Sequence, residues 1–317
     1  MAKIIVNPPV DYFDNVVDAW LNSDDVNDPT KVTTNPKKLI SEIINRNGRE
    51  DYLSFFPSLT TPTSNGNPID AMPEPFSGNP CKNLVVFFNF NPAFGNEDVK
   101  YMNRQKMKGV ITKTYSDFTR PFPHITDPFH KGATNWWEKR NTWLHETFYK
   151  KIYNGGKITK QVKKMYPFSI ELCPWHSKSK KGIKIQPLYL EKVIKHSEYA
   201  YENSCIPIML ALGSSLRDVL RNKNSGYQEV SNISYYQQKY SKRGGCDAFG
   251  QLESQWKEIW PQDAGKSRFV NQNFSYFRKV ENDKTYKILC MNSNQQIPPA
   301  DHFNRVLTKI VQYIKDN

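Results

Sequence analysis

Three short stretches carry side chains able to do chemistry, and each follows a short apolar run. They are Asn89-Phe90-Asn91-Pro92-Ala93-Phe94-Gly95, Glu171-Leu172-Cys173-Pro174-Trp175-His176 and Met291-Asn292-Ser293-Asn294-Gln295-Gln296. Carboxamides dominate the first and third. An amide side chain does not ionise usefully, so it can orient a water or read a polar edge but cannot act as a base. Glu171 is the only acidic residue among the expected strand ends, whereas a metal-dependent nuclease needs carboxylates clustered there. Cys173 and His176 offer two metal ligands, but a zinc or iron–sulfur site wants two more at regular spacing and none is visible. The expectation is therefore a buried Cys beside a surface His, with no metal and no cofactor.

The elements that must position these segments follow from periodicity. Asn83–Phe90 and Tyr166–Leu172 read as buried strands, Ile206–Leu212 as a third and Tyr286–Met291 as a fourth. Between them lie helical patterns. The stretch from Trp136 to Ile152 places Trp136, Trp137, Trp143, Leu144, Phe148 and Ile152 near one side. Tyr189–Tyr201 is a second helix, and Pro299–Lys315 a closing one with Phe303, Val306, Leu307, Ile310, Val311 and Ile314 on its apolar stripe. Such alternation predicts an α/β fold in which a short central parallel sheet is flanked by helices on both faces, a three-layer α/β/α arrangement. Ligand sites in these sheets lie beyond the carboxyl ends of the strands, where the three polar segments fall. Ala211-Leu212-Gly213-Ser214-Ser215 instead reads as an ordinary strand-to-helix turn, and His145, His196 and His302, on helix patterns, as structural.

The 317-residue chain carries a formal net charge of +13, unevenly placed. Residues 1–80 hold six Lys and Arg against eleven Asp and Glu, while the remainder hold 38 against 20. The acidic part looks helical, with Tyr12, Phe13, Val16, Val17 and Trp20 at helical spacing, and is read as an extension packed on a core spanning 81–317. The basic remainder points to a polyanion, with nucleic acid the leading partner. Lys157, Lys160, Lys163 and Lys164 precede the second polar segment, and Lys178, Lys180, Lys181 and Lys184 follow it. Flanking a site, such lysines grip phosphates and make binding steeply salt-dependent. No apolar run approaches the about 20 residues of a membrane span, and no secretory signal precedes the first helix. The five cysteines stand far apart, without a Cys-x-x-Cys pair, and read as reduced, mostly buried thiols of a cytoplasmic, soluble protein.

In this order the three polar segments resemble the motifs of the uracil-DNA glycosylase superfamily, nearest its single-strand-selective monofunctional and thymine/mismatch-specific branches. Asn91-Pro92-Ala93-Phe94-Gly95 is similar to the first motif, an Asn-Pro followed by Gly and often Pro-Phe-Gly. Glu171-Leu172-Cys173-Pro174 resembles a strand that reads Asn-His-Cys-Pro in the single-strand-selective branch, and Met291-Asn292-Ser293-Asn294 resembles the Met-Pro-Ser-Ser form of the DNA-inserting loop. Pro73-Glu74-Pro75-Phe76 before the first strand also suits the superfamily, so the likeness covers roughly residues 73–317. It implies a monofunctional DNA glycosylase acting as a monomer: the target nucleotide is flipped into a pocket and its N-glycosidic bond broken through a sugar-cation-like transition state. By that likeness Asn91 holds the attacking water, and Asn89, Ala93, Phe94 and Glu171 surround the base. Asn292, Ser293, Asn294, Gln295 and Gln296 form the loop at the leaving base and the vacated stack, and Lys178, Lys180 and Lys181 take phosphates.

Departures from the pattern shift the expected substrate. Uracil-specific members place a Tyr after the motif's Pro to block groups on carbon 5, and Ala93 stands there instead. Glu171 replaces the Asn that binds the pyrimidine edge. A carboxylate accepts from the exocyclic amine of cytosine and repels the carbonyl that uracil offers at that position, while a protonated Glu171 could donate to N3 or O2. Both changes point to a C5-modified cytosine, a base typical of certain bacteriophage genomes, which suits antiphage defence as well as repair. The third segment has Met291 where a family His stabilises the departing base, which leaves a catalytically inactive reader of modified or single-stranded DNA as the rival, and a uracil or mismatch repair glycosylase as the other.

Overall fold

A computed structural model describes residues 76–90, 131–173, 176, 187–222, 225–238, 246–252, 269–291 and 301–316. The expected acidic extension over residues 1–80 lies outside these apart from its last five positions. The described chain divides into two compact units interleaved in sequence. One holds Leu84–Phe88, Trp136–Met165 and the chain from Ser204 onward, and the other holds the segments around Phe76, Asn89 and Tyr166–Asn203.

Among the described residues the larger unit, that of Leu84–Phe88, Trp136–Met165 and the chain from Ser204 onward, is built on a mixed sheet. Strand β2 (Val86–Asn89) contributes its first three residues here and runs parallel to β4 (Met209–Leu212), which runs parallel to β8 (Lys284–Met291). β2, β4 and the second half of β8, Ile288–Met291, are apolar runs of the sequence buried on both faces, as central parallel strands are. Beyond β8 the pairing turns antiparallel through β7 (Phe269–Glu281), β5 (Gln228–Gln238) and β6 (Cys246–Leu252). The all-parallel expectation is thus corrected in this unit: β2, β4 and β8 pair in parallel as expected, whereas β5, β6 and β7 add an antiparallel arm. The cause is local at the β7–β8 turn, where Asn282 and Asp283 both sit at positive φ (50° and 61°). That is the two-residue turn whose twist matches an antiparallel hairpin, and Asn and Asp tolerate it best after Gly.

Helices cover this sheet. Helix α1 (Lys131–Thr142) continues as a π-helical stretch, Trp143–Tyr153. There the buried His145 occupies the carbonyl of Asn141 through Nδ1 at 2.9 Å, the carbonyl an α-helix would reserve for the backbone amide of residue 145. A side chain inserted into the ladder in this way shifts the backbone to the wider pattern. Trp137, Trp143, Leu144, Phe148 and Ile152 are buried as their spacing predicts, whereas Trp136 is 37% exposed and carries the Arg140 guanidinium over its ring. Helix α4 (Asp301–Asp316) buries Leu307, Ile310, Val311 and Ile314 and ties to the π-helical stretch, Trp143 Nε1 donating to Asn304 and Lys315 Nζ to the Tyr153 carbonyl. Short helix α3 (Ser215–Leu220) follows β4 after Gly213, whose φ of 77° makes the turn.

In the smaller unit β1 (Phe76–Ser77) runs antiparallel to β3 (Phe168–Glu171), and helix α2 (Pro187–Glu202) packs on β3. His196 of α2 lies parallel to the Phe168 ring at 5.0 Å and against Phe76 at 4.9 Å, a core histidine as its helix position implies. Asn83 is buried and donates to the Ala200 carbonyl. Four cysteines are seen as free thiols: Cys173 and Cys290 buried, Cys205 half-buried and Cys81 exposed. Among the described residues no helix is long and apolar enough to cross a membrane.

Candidate active site

The polar ends of β2 and β3 meet within the smaller unit. The backbone ladder runs past both strands, Leu172 N donating to Asn89 O at 3.0 Å and Cys173 N to Phe90 O at 2.8 Å. This register sets Asn89 opposite the end of β3. Because side chains alternate along a strand, Ser169 and Glu171 share one face and Ile170 takes the other. Asn89 Nδ2 then donates to both, reaching Ser169 Oγ at 2.7 Å and Glu171 Oε1 at 3.1 Å.

All three side chains are buried, Asn89 and Glu171 each 9% exposed. Glu171 is therefore not a surface-facing strand residue. Burying a carboxylate is costly unless hydrogen bonds replace its water, and the Asn89 amide supplies one of them. Two amide protons are all that Asn89 has, and both are committed to the protein. Its contribution to the site is to orient Glu171. Ser169 was not singled out in the sequence, although its place two residues before Glu171 on a strand puts it on the same face.

The second polar segment continues differently from expectation in one respect. Cys173 is buried as anticipated, but His176 is buried as well, only 2% exposed, and is not the surface His expected. A lysine-rich run follows it in sequence, and such a neighbourhood gave no sign of burial. Among the described residues no group of three or more His, Cys, Asp or Glu is placed to hold a metal.

Asn91, Ala93 and Phe94 lie outside the described residues, as do Asn292, Ser293, Asn294, Gln295 and Gln296 and the lysines 178, 180 and 181. Of the expected base-binding residues, Asn89 and Glu171 are brought together. Other strand ends are plainer. In the larger unit β4 ends on buried Leu212 and β8 on buried Met291, with Gly213 N donating to the Met291 carbonyl at 2.8 Å. The expectation of an ordinary turn at residues 211–215 agrees with this. Buried Cys290 beside them has its thiol pushed up by burial, away from the reactive thiolate.

No protein-family model, curated protein or solved structure matches this chain. What the site can do rests on its own groups: a fixed carboxylate oxygen, an amide and a hydroxyl, buried at the carboxyl ends of two strands. Such a set suits recognition of a polar planar edge better than proton transfer to a bulk nucleophile.

Proposed function

We propose that this chain is a monofunctional DNA glycosylase that hydrolyses the N-glycosidic bond of a flipped-out, C5-modified cytosine. The observation that carries this reading is the buried Asn89–Glu171 pair at the strand ends. A buried carboxylate fixed by an amide is a strong acceptor for the exocyclic amine of cytosine and repels the carbonyl of uracil. Ala93 after Pro92 leaves room for a substituent on carbon 5. The motif order supports the superfamily's three-layer architecture and its division of labour.

In this mechanism the nucleotide leaves the stack and the base edge meets Glu171. The bond between the sugar's anomeric carbon and the base nitrogen breaks, and its electrons depart with the base. Water oriented by Asn91 adds to the sugar cation, losing one proton to solvent, and the base takes up a proton. Amides and hydroxyls of the Asn292–Gln296 loop hold the departing base where relatives in the superfamily use His. The chain works as a cytoplasmic monomer without metal or cofactor, in defence against modified phage DNA or in repair.

The test is mass spectrometry of bases released from duplexes carrying uracil, a thymine mismatch or 5-hydroxymethylcytosine. Release of the modified cytosine, lost in Asn91→Ala by on the order of 10²–10³-fold, is expected for the loss of one transition-state interaction. Release of uracil with none of the modified cytosine would overturn the substrate. Tight binding to modified DNA with no abasic site formed would make the protein a reader.

A further inference from the structure

Between Thr147 and Ile170 the chain has six lysines and no acidic residue. Lys150 is paired with Glu146 at 3.1 Å, and the other five, Lys151, Lys157, Lys160, Lys163 and Lys164, are exposed. None of those five has an ion-pair partner among the described residues. A lysine run in a loop is usually a solvated and mobile tether. This one is held at several points.

At its start Asn154 N donates to the Tyr149 carbonyl and Gly156 N to that of Lys150, while Gly155 and Gly156 take the positive φ angles (63° and 101°) that reverse the chain. At its end comes a 3₁₀ turn, Val162–Lys164, and the Thr159 hydroxyl ahead of it accepts from Val162 N at 3.2 Å. Val162 and Met165 are buried, and His145 Nε2 lies 3.0 Å from the Val162 carbonyl. The turn is thereby fixed against the π-helical stretch, with Lys163 beside the Glu146–Lys150 pair. Ammonium groups on a backbone already ordered lose less entropy on gripping a partner than those on a free tail.

We propose that residues 150–164 form a preorganised docking surface for the phosphodiester backbone of duplex DNA. It would supply sequence-independent affinity separately from the base recognition of Glu171, which belongs to the other unit. The choice of DNA as partner rests on the glycosylase reading; the polyanion preference rests on the lysines themselves. An anionic membrane fits less well, because a membrane-seated surface adds apolar side chains to its charge. The large exposed hydrophobic residues among those described are Trp136 and Val280, and neither lies in this segment.

The experiment is a salt titration of the full chain on unmodified duplex DNA, so that excision plays no part in the readout. Each lost phosphate contact lowers the slope of log K against log salt by about 0.9, so K157Q/K160Q/K163Q/K164Q is expected to lower it by about 3.6. A charge-matched variant at exposed lysines elsewhere, K82Q/K139Q/K195Q/K284Q, is expected to leave the slope near wild type. An unchanged slope, an equal loss in the charge-matched variant, tighter binding of duplex RNA, or binding of phosphatidylserine vesicles in place of DNA would each overturn the proposal. If the wild type excises bases while the platform variant keeps its slope, only the platform fails. If the slope falls as expected but no DNA yields a free base, only the glycosylase reading fails.

Discussion

Two kinds of strand end occur in this molecule, and they are built from opposite materials. In the larger unit β4 and β8 finish on Leu212 and Met291, buried and apolar, joined by a backbone bond from Gly213. In the smaller unit the corresponding positions are Asn89, Ser169 and Glu171, equally buried yet polar. An apolar end contributes to stability through burial and asks for nothing more. A buried carboxylate does the reverse: it is costly to desolvate, and the Asn89 amide offsets only part of that cost. A leucine at either position would pack without that cost. The proposed base-recognition role of Glu171 would account for this contrast.

Substitutions can break the contrast. Leu210→Ala, in the fully buried centre of β4, should cost about 2–5 kcal/mol in urea unfolding. Activity per folded molecule should be retained, and a large change in base choice would mean that the larger unit's strands do more than pack. Glu171→Gln keeps an acceptor for Asn89 while turning the carboxylate into an amide. Preference between modified cytosine and uracil should swing toward uracil by about 1–3 kcal/mol, some 5- to 150-fold in relative excision. No swing would remove Glu171 from base recognition. Asn89→Ala deletes both donated bonds and should destabilise by about 1–2 kcal/mol, with a rise in KM larger than the fall in kcat. Equal loss in a Ser169→Ala variant would show that the hydroxyl, not the carboxylate, is what Asn89 serves.

How much of this was legible depended on whether the signal was local. The parallel strands announce themselves as short apolar runs, and helix α4 through Leu307, Ile310, Val311 and Ile314 on one stripe. Helix α1 was legible too, except that its widening at His145 depends on a side-chain bond no periodicity encodes. The antiparallel arm β5–β7 escaped notice because residues such as Gln228, Glu229, Ser231 and Asn232 lack the apolar alternation that marks a half-buried strand. Its best local clue was Glu281-Asn282-Asp283-Lys284, a turn pair with a mechanism. At the site, each residue was nameable but the contact was not. Asn89 and Glu171 lie 82 positions apart, and only the register beside Leu172 N–Asn89 O decides that they touch. Burial of His176 was likewise beyond reach, since it depends on where the chain turns after Cys173.

The smallest expected effect concerns a second carboxylate, one with a structural answer. Glu229, at the start of β5, receives two bonds of 2.8 Å from the Arg221 guanidinium. Burial alone would raise its carboxyl, but the bonds from Arg221 and Ser275 together hold it below the usual value of 4.5. A carboxyl depressed in the folded state adds stability that is present above its unfolded pKa and is lost as pH falls through the folded one. Glu229→Gln should therefore be less stable than wild type at neutral pH, by under about 1 kcal/mol for a pair so near solvent. The gap should close below about pH 4.5, and base choice should not move at any pH. Urea unfolding from pH 7 to pH 3 checks the first point, and a gap that persists undiminished at pH 3 would refute it. Set beside Glu171→Gln, the pair separates a carboxylate that holds the fold from one held by it.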